Sequence, residues 1–338
     1  MKALVQTRNG PPEVLKVSEW PESSPGPGQV RIKVHACGLN FAEVQARLGL
    51  YPDAPKPPCV LGYEVAGEVE SLGPGVEAFN VGERVMAGTR FGGFAELAVA
   101  NSADIVQLPE SVSFIEGAAI PVAYATAYAA VVKFSNLSSG ERVLIHGAAG
   151  GVGIAATQLA RHVGAEIFGT ASVQKHAAIH DQGVEHAIDY HSGNVSATVR
   201  GITGGYGLDV ILDPRGGNAF RESYDLLRPG GRLIMFGVTQ IVNGDRRSFL
   251  RALKTVGRMP RFGALKLMTQ SKAVIGLNML TLWAEHGSLV EFIEPIKRLM
   301  DGGVIAPVIA ETFPLERAAD AHRFIQERRN VGKVVLTV

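Results

Sequence analysis

The chain has 338 residues, 46% of them hydrophobic and 19% charged, and its formal net charge is +1. The length predicts two domains with a sizeable core, and the composition excludes a disordered or fibrous protein. The near-zero net charge gives no reason to expect nucleic acid as a partner. We expect a soluble, cytoplasmic protein, because the start carries no apolar signal core, no run spans a bilayer, and two cysteines form no disulfide framework.

Short apolar runs with turn residues between them fill the first third of the chain. These runs are residues 3–5, 15–17, 30–34, 63–69, 82–86 and 94–99. Their spacing predicts short β-strands in a compact antiparallel, barrel-like domain over residues 1–121. Residues 124–134 then form a predicted helix that leads into a second domain.

Strand and helix patterns alternate from Arg142 onward. The strand candidates are residues 143–145, 166–169, 187–189, 210–212, 232–236 and 274–276. The alternation predicts an α/β fold with a mostly parallel, doubly wound sheet over residues 122–284. Residues 285–338 are too short for a domain of their own, so we expect them to return to the first domain. Their predicted elements are helices at 288–301 and 315–327, a loop with Pro307 and Pro314, and a strand at 333–338.

A glycine turn at residues 147–153 follows the first strand of the second domain and precedes an alanine-rich helix. In this order the turn forms a phosphate cradle, because Gly150 lets the backbone approach a pyrophosphate and Gly153 lets the helix pack on the strand. Ala148 replaces the first glycine of the usual pattern, and an ordinary turn is the alternative. The strand before and the helix after favour a dinucleotide site. The predicted cradle residues are Gly150, Gly151, Val152 and Gly153.

Four motifs, in this order along the chain, resemble the medium-chain dehydrogenase/reductase superfamily. They are CGLNF at 37–41, LGYEVAG at 61–67, AAGGVG at 148–153 and NVGKVV at 330–335. More narrowly, the chain resembles the zinc-independent quinone oxidoreductases, and residues 38–42, 49–51, 168–172 and 188–191 are similar to the vesicle amine transport protein type. The resemblance implies a GroES-like β-barrel catalytic domain followed by an NADP-binding Rossmann domain.

The resemblance also bears on metal chemistry. Zinc alcohol dehydrogenases of this superfamily carry a Cys and a His as catalytic zinc ligands, and the matching positions here are Asn40 and Tyr63. An amide and a phenol do not replace thiolate and imidazole as zinc ligands, so we expect no metal. Direct hydride transfer from a nicotinamide to a quinone or enone fits, because conjugation in these acceptors stabilises the developing charge.

Two residues are candidates for catalysis. We expect Asn40 near the nicotinamide ribose or the acceptor carbonyl, where it would donate a hydrogen bond; a loop-capping Asn is the alternative. Tyr51 resembles the family's active-site tyrosine and can donate a proton or stack on an aromatic acceptor. A half-buried loop tyrosine is the alternative for Tyr51.

The end of the second Rossmann strand reads FGTASVQKH at 168–176. NAD-binding sites place an Asp or Glu there, roughly 20 residues past the glycines, to bind the ribose 2′-OH, and this stretch has none. Ser172 and Lys175 can bind a 2′-phosphate instead, although a helix lysine is often simply solvated. Tyr190 resembles the family's tyrosine beside the adenosine phosphate. We therefore predict NADPH, held at this end by Thr170, Ser172, Lys175 and Tyr190.

The remaining predicted cofactor contacts are Thr126, Phe236, Gly237, Val238, Asn330 and Lys333. Thr126 would face the nicotinamide, with helix packing as the alternative. Residues 236–238 end a strand, so their backbone groups can reach the nicotinamide carboxamide. Asn330 and Lys333 resemble C-terminal residues that close over the cofactor; an exposed turn before the last strand is the alternative.

Residues 246–272 are rich in basic side chains with apolar residues interleaved. They can form a basic amphipathic segment on anionic lipid, and the vesicle-type resemblance implies membrane association. A helical flap over the cleft, with its charges in solvent and its apolar face in the core, is the alternative that we favour.

We expect a zinc-independent oxidoreductase that transfers hydride from NADPH to a quinone or α,β-unsaturated carbonyl. The alternative is an NADPH-binding, membrane-associated protein with little or no turnover, and a secondary-alcohol dehydrogenase is a weaker third reading. The resemblance implies a homodimer, and an apolar edge strand at 274–280 could join its two sheets.

Overall fold

The computed structural model describes residues 1–242, 244 and 248–338. The first two basic residues of the predicted 246–272 segment, Arg246 and Arg247, lie outside the described residues. The described strands are β1 (Lys2–Gln6), β2 (Leu15–Glu19), β3 (Gln29–Leu39), β4 (Cys59–Val60), β5 (Glu64–Leu72), β6 (Arg84–Gly88), β7 (Leu97–Asn101), β8 (Ile105–Gln107), β9 (Arg142–His146), β10 (Glu166–Ala171), β11 (His186–Asp189), β12 (Leu208–Asp213), β13 (Leu227–Met235), β14 (Ala273–Gly276), β15 (Ile309–Pro314) and β16 (Lys333–Thr337).

The described helices connect and cover these strands. They are α1 (Phe41–Arg47), α2 (Phe114–Gly117), α3 (Pro121–Tyr128), α4 (Gly151–Val163), α5 (His176–Gln182), α6 (Val195–Ile202), α7 (Ala219–Leu226), α8 (Phe249–Gly257), α9 (Ala264–Gln270), α10 (Met279–His286), α11 (Val290–Asp301) and α12 (Ala318–Gln326). None of these helices is both long enough and apolar enough to cross a bilayer.

The barrel-like first part is built around the long strand β3. Val30, Ile32 and Val34 point into the core while Arg31 and Lys33 between them do not, as the period of two in the sequence predicts. β3 pairs antiparallel with β5 and β7. The fold class predicted from the sequence, a GroES-like barrel followed by a Rossmann sheet, is confirmed.

The second part is a parallel sheet with strand order β11-β10-β9-β12-β13-β14 within the described residues. Because parallel strands end at one edge, their carboxyl ends form a common crevice for a ligand. The predicted edge strand at 274–280 is wrong in its extent. β14 stops at Gly276, and the Asn278 side chain then caps α10 by accepting hydrogen bonds from the N–H groups of Leu280 and Thr281.

The C-terminal segment returns to the barrel, as predicted. β16 pairs antiparallel with β3, from Val334 opposite Leu39 to Thr337 opposite Ala36. The predicted loop around Pro314 is instead the end of β15, which pairs parallel with β16. Its sequence has no clear alternation, and the pairing with β16 holds it as a strand. The exact domain boundaries stay predictions.

The helix predicted at residues 124–134 begins earlier in the structure, and its second half is π-helical. α3 starts at Pro121, whose fixed φ and missing N–H suit the first helical turn, and a π-helical turn covers residues 129–134. The predicted helices at 288–301 and 315–327 are confirmed with later starts, as α11 and α12.

The flap interpretation of the basic segment is wrong for α8. Its apolar side chains face outward: Phe249, Leu250, Leu253 and Val256 are 55% to 82% exposed. Its cations Arg251, Lys254 and Arg258 are exposed as well, and together with Leu250 they line a cavity next to the start of α7. A surface helix ordinarily buries its apolar face, whereas α8 leaves its apolar residues exposed.

Candidate active site

A cleft of about 1110 Å³ lies at the carboxyl ends of β9, β10, β12 and β13, between the parallel sheet and the barrel. It exceeds the roughly 300–1,000 Å³ of a typical small-molecule pocket, which suits a dinucleotide with an acceptor beside it. All the predicted site residues line it: Asn40, Tyr51, Thr126, Gly150, Gly151, Val152, Gly153, Thr170, Ser172, Lys175, Tyr190, Phe236, Gly237, Val238, Asn330 and Lys333.

The glycine turn has the shape of a phosphate cradle. Gly150 precedes α4, so the N–H groups that follow it at the helix start point toward the cleft without partners in the helix. A Cβ on Gly153 would lie 2.3 Å from the carbonyl oxygen of Gly147, whereas a Cβ on Gly150 would meet nothing closer than 3.4 Å. The fold therefore needs glycine at 153, while at 150 it leaves room for a ligand.

Shortly after the end of β10, Lys175 is held by backbone carbonyl groups of the C-terminal segment. Lys175 Nζ donates hydrogen bonds to the carbonyl oxygens of Arg328 and Asn330 at 2.5 and 2.6 Å. Burial and the nearby Arg328 guanidinium lower the pKa of Lys175. Lys175 is thus fixed against the C-terminal segment, and the alternative of a freely solvated lysine is wrong.

Arg328 is a cleft residue that the sequence analysis missed. Its guanidinium lies 6.0 Å from the ring centroid of Tyr190, and both residues line the cleft. Among the described residues that line the cleft there is no Asp or Glu, but there are four cations: Lys175, Arg215, Arg328 and Lys333. Lys333 and Arg215 are paired with the buried carboxylates of Glu64 and Asp213, which leaves Lys175 and Arg328, at the end of β10, as the cations that suit a negatively charged ligand group.

At the opposite end, Asn40, Glu64 and Lys333 form a buried cluster, which we call the barrel network. Lys333 Nζ lies 2.5 Å from both Glu64 Oε1 and Asn40 Oδ1, and Asn40 Nδ2 donates to Glu64 Oε1 at 2.8 Å. The Val122 N–H donates to the other Glu64 oxygen at 2.7 Å. The Glu64 side chain is fully buried and that of Lys333 is 4% exposed. The alternative of an exposed turn is therefore wrong for Lys333.

A second buried carboxylate orients the start of α1. Glu43 accepts hydrogen bonds from the backbone N–H of Asn40 at 2.8 Å and of Tyr63 at 3.2 Å. Burial raises the pKa of Glu43 to about 8, although Lys333 opposes the shift. The sequence analysis missed Glu43, yet Asn40 followed by Glu43 has the spacing of a capping box, which the structure contains.

Aromatic rings form the wall beside the barrel network. The Tyr63 ring centroid lies 6.3 Å from that of Tyr51 and 5.0 Å from that of Phe91. Burial raises the pKa of Tyr51 to about 12 and that of Tyr63 further, so both phenols stay protonated. Thr126 also lines the cleft, but its hydroxyl donates to the Val122 carbonyl of its own helix at 2.7 Å.

A further group, which we call the sheet network, lies under the crevice and was not predicted; it comprises His146, Thr170, Asp213, Arg215 and Ser223. Arg215 donates to both carboxylate oxygens of Asp213, at 2.8 and 3.0 Å, and Ser223 donates to Asp213 at 2.7 Å. His146 Nδ1 lies 3.2 Å from Thr170 Oγ1.

These contacts set the charges of the sheet network. Burial, together with Arg215, lowers the pKa of His146 to about 3. Burial by itself would favour a neutral Asp213, but His146, Arg215 and Ser223 hold the pKa of Asp213 at about 2. The network therefore combines a neutral imidazole with a carboxylate, and it ties together the ends of β9, β10 and β12.

Within the part of the chain that the structure describes, no three His, Cys, Asp or Glu side chains are grouped as they would be around a metal ion. At the two positions that correspond to the zinc ligands of zinc dehydrogenases, Asn40 is held by Glu64 and Lys333, and Tyr63 packs against two aromatic rings.

Comparison with known proteins agrees with this architecture. The family described as alcohol dehydrogenase GroES-like domain matches residues 26–110, and the family described as zinc-binding dehydrogenase matches residues 182–336. The synaptic vesicle membrane protein VAT-1 homologs of Rattus norvegicus and Homo sapiens are each 38% identical over 339 residues, covering 99% of this chain and 84% and 86% of theirs.

Solved structures are similar over the whole chain. Human VAT-1 homolog-like protein superposes with a TM-score of 0.86 at 32% identity, covering 100% of this chain and 98% of that one. Quinone oxidoreductase of Escherichia coli, complexed with NADPH, has a TM-score of 0.86 at 27% identity with both chains fully covered. CurK enoyl reductase has a TM-score of 0.84 at 26% identity over 99% of each chain. The chain therefore belongs to the medium-chain dehydrogenase/reductase superfamily, as a relative of the VAT-1 homologs with the fold of the quinone oxidoreductases.

Proposed function

We propose that this protein transfers hydride from NADPH to a quinone or an α,β-unsaturated carbonyl compound without a metal ion. The observation that carries the proposal is one continuous cleft with a phosphate cradle at one end, aromatic walls at the other, and no carboxylate among the described lining residues. NADPH would supply the hydride, and the similarity to an NADPH-complexed quinone oxidoreductase supports this cofactor.

The preference for NADPH over NADH rests on the end of β10. Ser172 and Lys175 lie where NAD enzymes carry an acidic residue, and Arg328 adds a cation beside Tyr190. Lys175 already holds two backbone carbonyls, so we assign the 2′-phosphate to Arg328 and Ser172 as well as to Lys175. Because Lys175 lies between the end of β10 and the C-terminal segment, it would couple binding of the 2′-phosphate to closure of that segment.

At the end of the cleft where hydride transfer would take place, the protein would position the cofactor and the acceptor. The Asn40 amide, fixed by Glu64 and Lys333, would orient the ribose or the acceptor, and the backbone of residues 236–238 would reach the carboxamide. Tyr51 would form the wall against which an aromatic acceptor stacks. The acceptor needs no Lewis acid, because its own conjugation spreads the charge that develops.

The test is NADPH oxidation with a panel of quinones and 2-alkenals, alongside titrations of NADPH and NADH by calorimetry. We expect turnover with at least one acceptor class that survives a chelator, and NADPH binding at least tenfold tighter than NADH. Arg328→Met should reduce this preference severalfold, whereas the exposed Arg317→Met should not. Tight NADPH binding with no turnover on any acceptor, or preferential binding of NADH, would contradict the proposal.

A second candidate function is peripheral contact with membranes, favoured by the exposed apolar residues of α8. Phe249, Leu250, Leu253 and Val256 present an exposed apolar stripe, and Leu265 and Met268 of α9 are each 74% exposed. Such a stripe can insert into the boundary between headgroups and acyl chains. Arg251, Lys254 and Arg258 are exposed as well, so we expect attraction to anionic lipid to add to apolar insertion.

Liposome co-sedimentation tests this candidate. The double variant Leu250→Ser, Leu253→Ser should lose vesicle binding with NADPH oxidation retained, and the control Val81→Ser, which removes an exposed apolar side chain elsewhere, should bind like the wild type. Equal binding by all three proteins, or none by the wild type, would remove the membrane candidate.

We also propose a homodimer. β14 is the last strand of the parallel sheet as described, and its outer edge is free to pair with the same strand of a second copy. Light scattering should give twice the monomer mass, and Ile275→Pro should shift the protein to a monomer. A monomeric wild type would contradict the proposal.

A further inference from the structure

Tyr63 is one of the residues that line the cleft, and its buried hydroxyl group has no hydrogen-bond partner among the described residues. The residue follows Gly62, whose φ of +103° turns the chain sharply before β5, and its side chain is 3% exposed. Within the described residues nothing accepts from or donates to this hydroxyl. A buried unsatisfied polar group costs about 1–3 kcal/mol, so its retention calls for an explanation.

Tyr124 provides the contrast. It is as deeply buried, at 2% exposure, but its hydroxyl lies 2.7 Å from Gln158 Oε1 and does not line the cleft. The chain therefore satisfies a buried phenol where the phenol has only a structural role. The unsatisfied phenol is the one that lines the ligand cleft.

The surroundings of Tyr63 favour a donor over a base. Tyr51 and Phe91 pack against its ring, and Glu43 accepts from its backbone N–H and not from its hydroxyl. Burial raises the pKa of Tyr63 far above its usual value, so the proton stays on the oxygen at any physiological pH. A neutral phenol in a dry pocket is a strong hydrogen-bond donor to an oxygen that gains negative charge.

We propose that the Tyr63 hydroxyl donates the hydrogen bond that holds and polarises the carbonyl oxygen of the acceptor, taking the part that a metal ion plays in zinc dehydrogenases. This assignment rests on the proposed function. In an enone, the β-carbon gains the hydride with its two electrons, the C=C electron pair shifts, and the carbonyl oxygen becomes an enolate. Tyr63 stabilises that oxygen and keeps its proton, and solvent protonates the α-carbon. Tyr51 is then a wall of the pocket.

The variant Tyr63→Phe removes only the hydroxyl. We expect kcat for enone reduction to fall about 10- to 100-fold, somewhat less than the loss typical of removing an oxyanion donor. The affinity for NADPH should stay unchanged, and the kinetic isotope effect with 4-deuterated NADPH should rise because hydride transfer becomes slower. The melting temperature should stay equal or increase, since an unsatisfied group is lost. Tyr124→Phe is the control: it should lower stability and leave kcat and the isotope effect unchanged.

A binding experiment keeps this inference separate from the proposed reaction. Cyclohexanone offers a carbonyl oxygen but no conjugated bond, and its affinity for the complex with NADP⁺ can be titrated whether or not any acceptor is reduced. We expect Tyr63→Phe to weaken it about 5- to 10-fold, in line with the loss of one hydrogen bond. Unchanged kcat together with unchanged ketone affinity would overturn the assignment. So would a loss of both in Tyr51→Phe with neither lost in Tyr63→Phe.

Discussion

The barrel network and the sheet network are both buried polar clusters at the edge of one cleft, but they hold their charges differently. In the barrel network the ion pair between Lys333 and Glu64 is sealed from water on both sides, at 4% and 0% exposure. In the sheet network Asp213 is equally buried, but its partner Arg215 remains 24% exposed. Water therefore still solvates part of Arg215, so the desolvation penalty is smaller for the pair of Asp213 with Arg215 than for the pair of Glu64 with Lys333.

The networks also differ in what they join. Asn40 and Glu64 belong to the barrel and Lys333 to the C-terminal strand, so their contacts fix that strand to the barrel beside the cleft. The sheet network joins neighbouring strand ends beneath the cofactor crevice. The difference indicates that the barrel network stabilises long-range closure of the site, whereas the sheet network stiffens a platform that the parallel sheet already provides.

The largest expected effect tests the sealed ion pair. Glu64→Gln leaves the Lys333 ammonium buried without a counter-charge, and breaking a buried pair in this way costs about 3–5 kcal/mol. Urea unfolding should report this loss. Glu70→Gln is the matched control, because its partner Arg31 and Glu70 itself are partly exposed, at 18% and 35%, and an exposed pair contributes about 1 kcal/mol or less. Equal losses in the two variants would contradict the distinction.

The next effect is the dependence of folding stability on pH, which has opposite signs for His146 in the sheet network and for Glu43 next to the barrel network. His146 has a folded pKa of about 3, below its unfolded value, so the unfolded chain takes up a proton first and stability is lost as the pH falls from about 6.5 toward 3. At pH 5 the His146 contribution by itself amounts to a loss of about 2 kcal/mol relative to pH 8. Glu43 has a raised folded pKa of about 8, so its contribution is present at low pH and is lost as the pH rises from about 4.5 to 8.

Urea unfolding between pH 8 and pH 4 separates these contributions. The two contributions oppose each other between about pH 4.5 and 6.5, so the variants expose them singly: His146→Gln should leave stability falling as the pH rises from about 4.5 to 8, and Glu43→Gln should leave it falling as the pH drops from about 6.5 to 4. Parallel pH profiles in both variants would show that neither group carries the predicted linkage.

The smallest expected effect compares the neutral members of the two networks. Ser223→Ala removes a donor to Asp213 and an acceptor for Arg215, but Asp213 keeps both bonds from Arg215 and Arg215 is partly exposed, so we expect a loss of about 1 kcal/mol. Asn40→Ala removes a donor to Glu64 and an acceptor for Lys333, whose side chains are both buried, so its loss should be about twice as large. A larger loss of stability in Ser223→Ala than in Asn40→Ala would show that the sheet network tolerates the removal of a side chain less well than the barrel network does.

Much of the fold followed from sequence pattern, because strand periodicity, strand-to-helix alternation and a glycine turn are local. The strands from β9 to β14 were located in this way, and so was the cradle at Gly150 to Gly153. β15 was missed because its register depends on β16. Arg328 and four residues of the sheet network, His146, Asp213, Arg215 and Ser223, were missed because their roles depend on neighbours remote in sequence. The orientation of α8 was predicted wrongly, since an amphipathic pattern indicates that a helix has two faces but not which one meets the protein.

What the sequence by itself determined was the order of elements and the glycine cradle, because backbone geometry and hydrophobic period act over a few residues. Only the tertiary structure decided that Lys333 is buried against Glu64, that Lys175 is held by the C-terminal segment, and that the Tyr63 hydroxyl has no partner among the described residues. These facts depend on burial and on distances between side chains far apart in the chain, and desolvation at such contacts sets both the charges and the available hydrogen bonds.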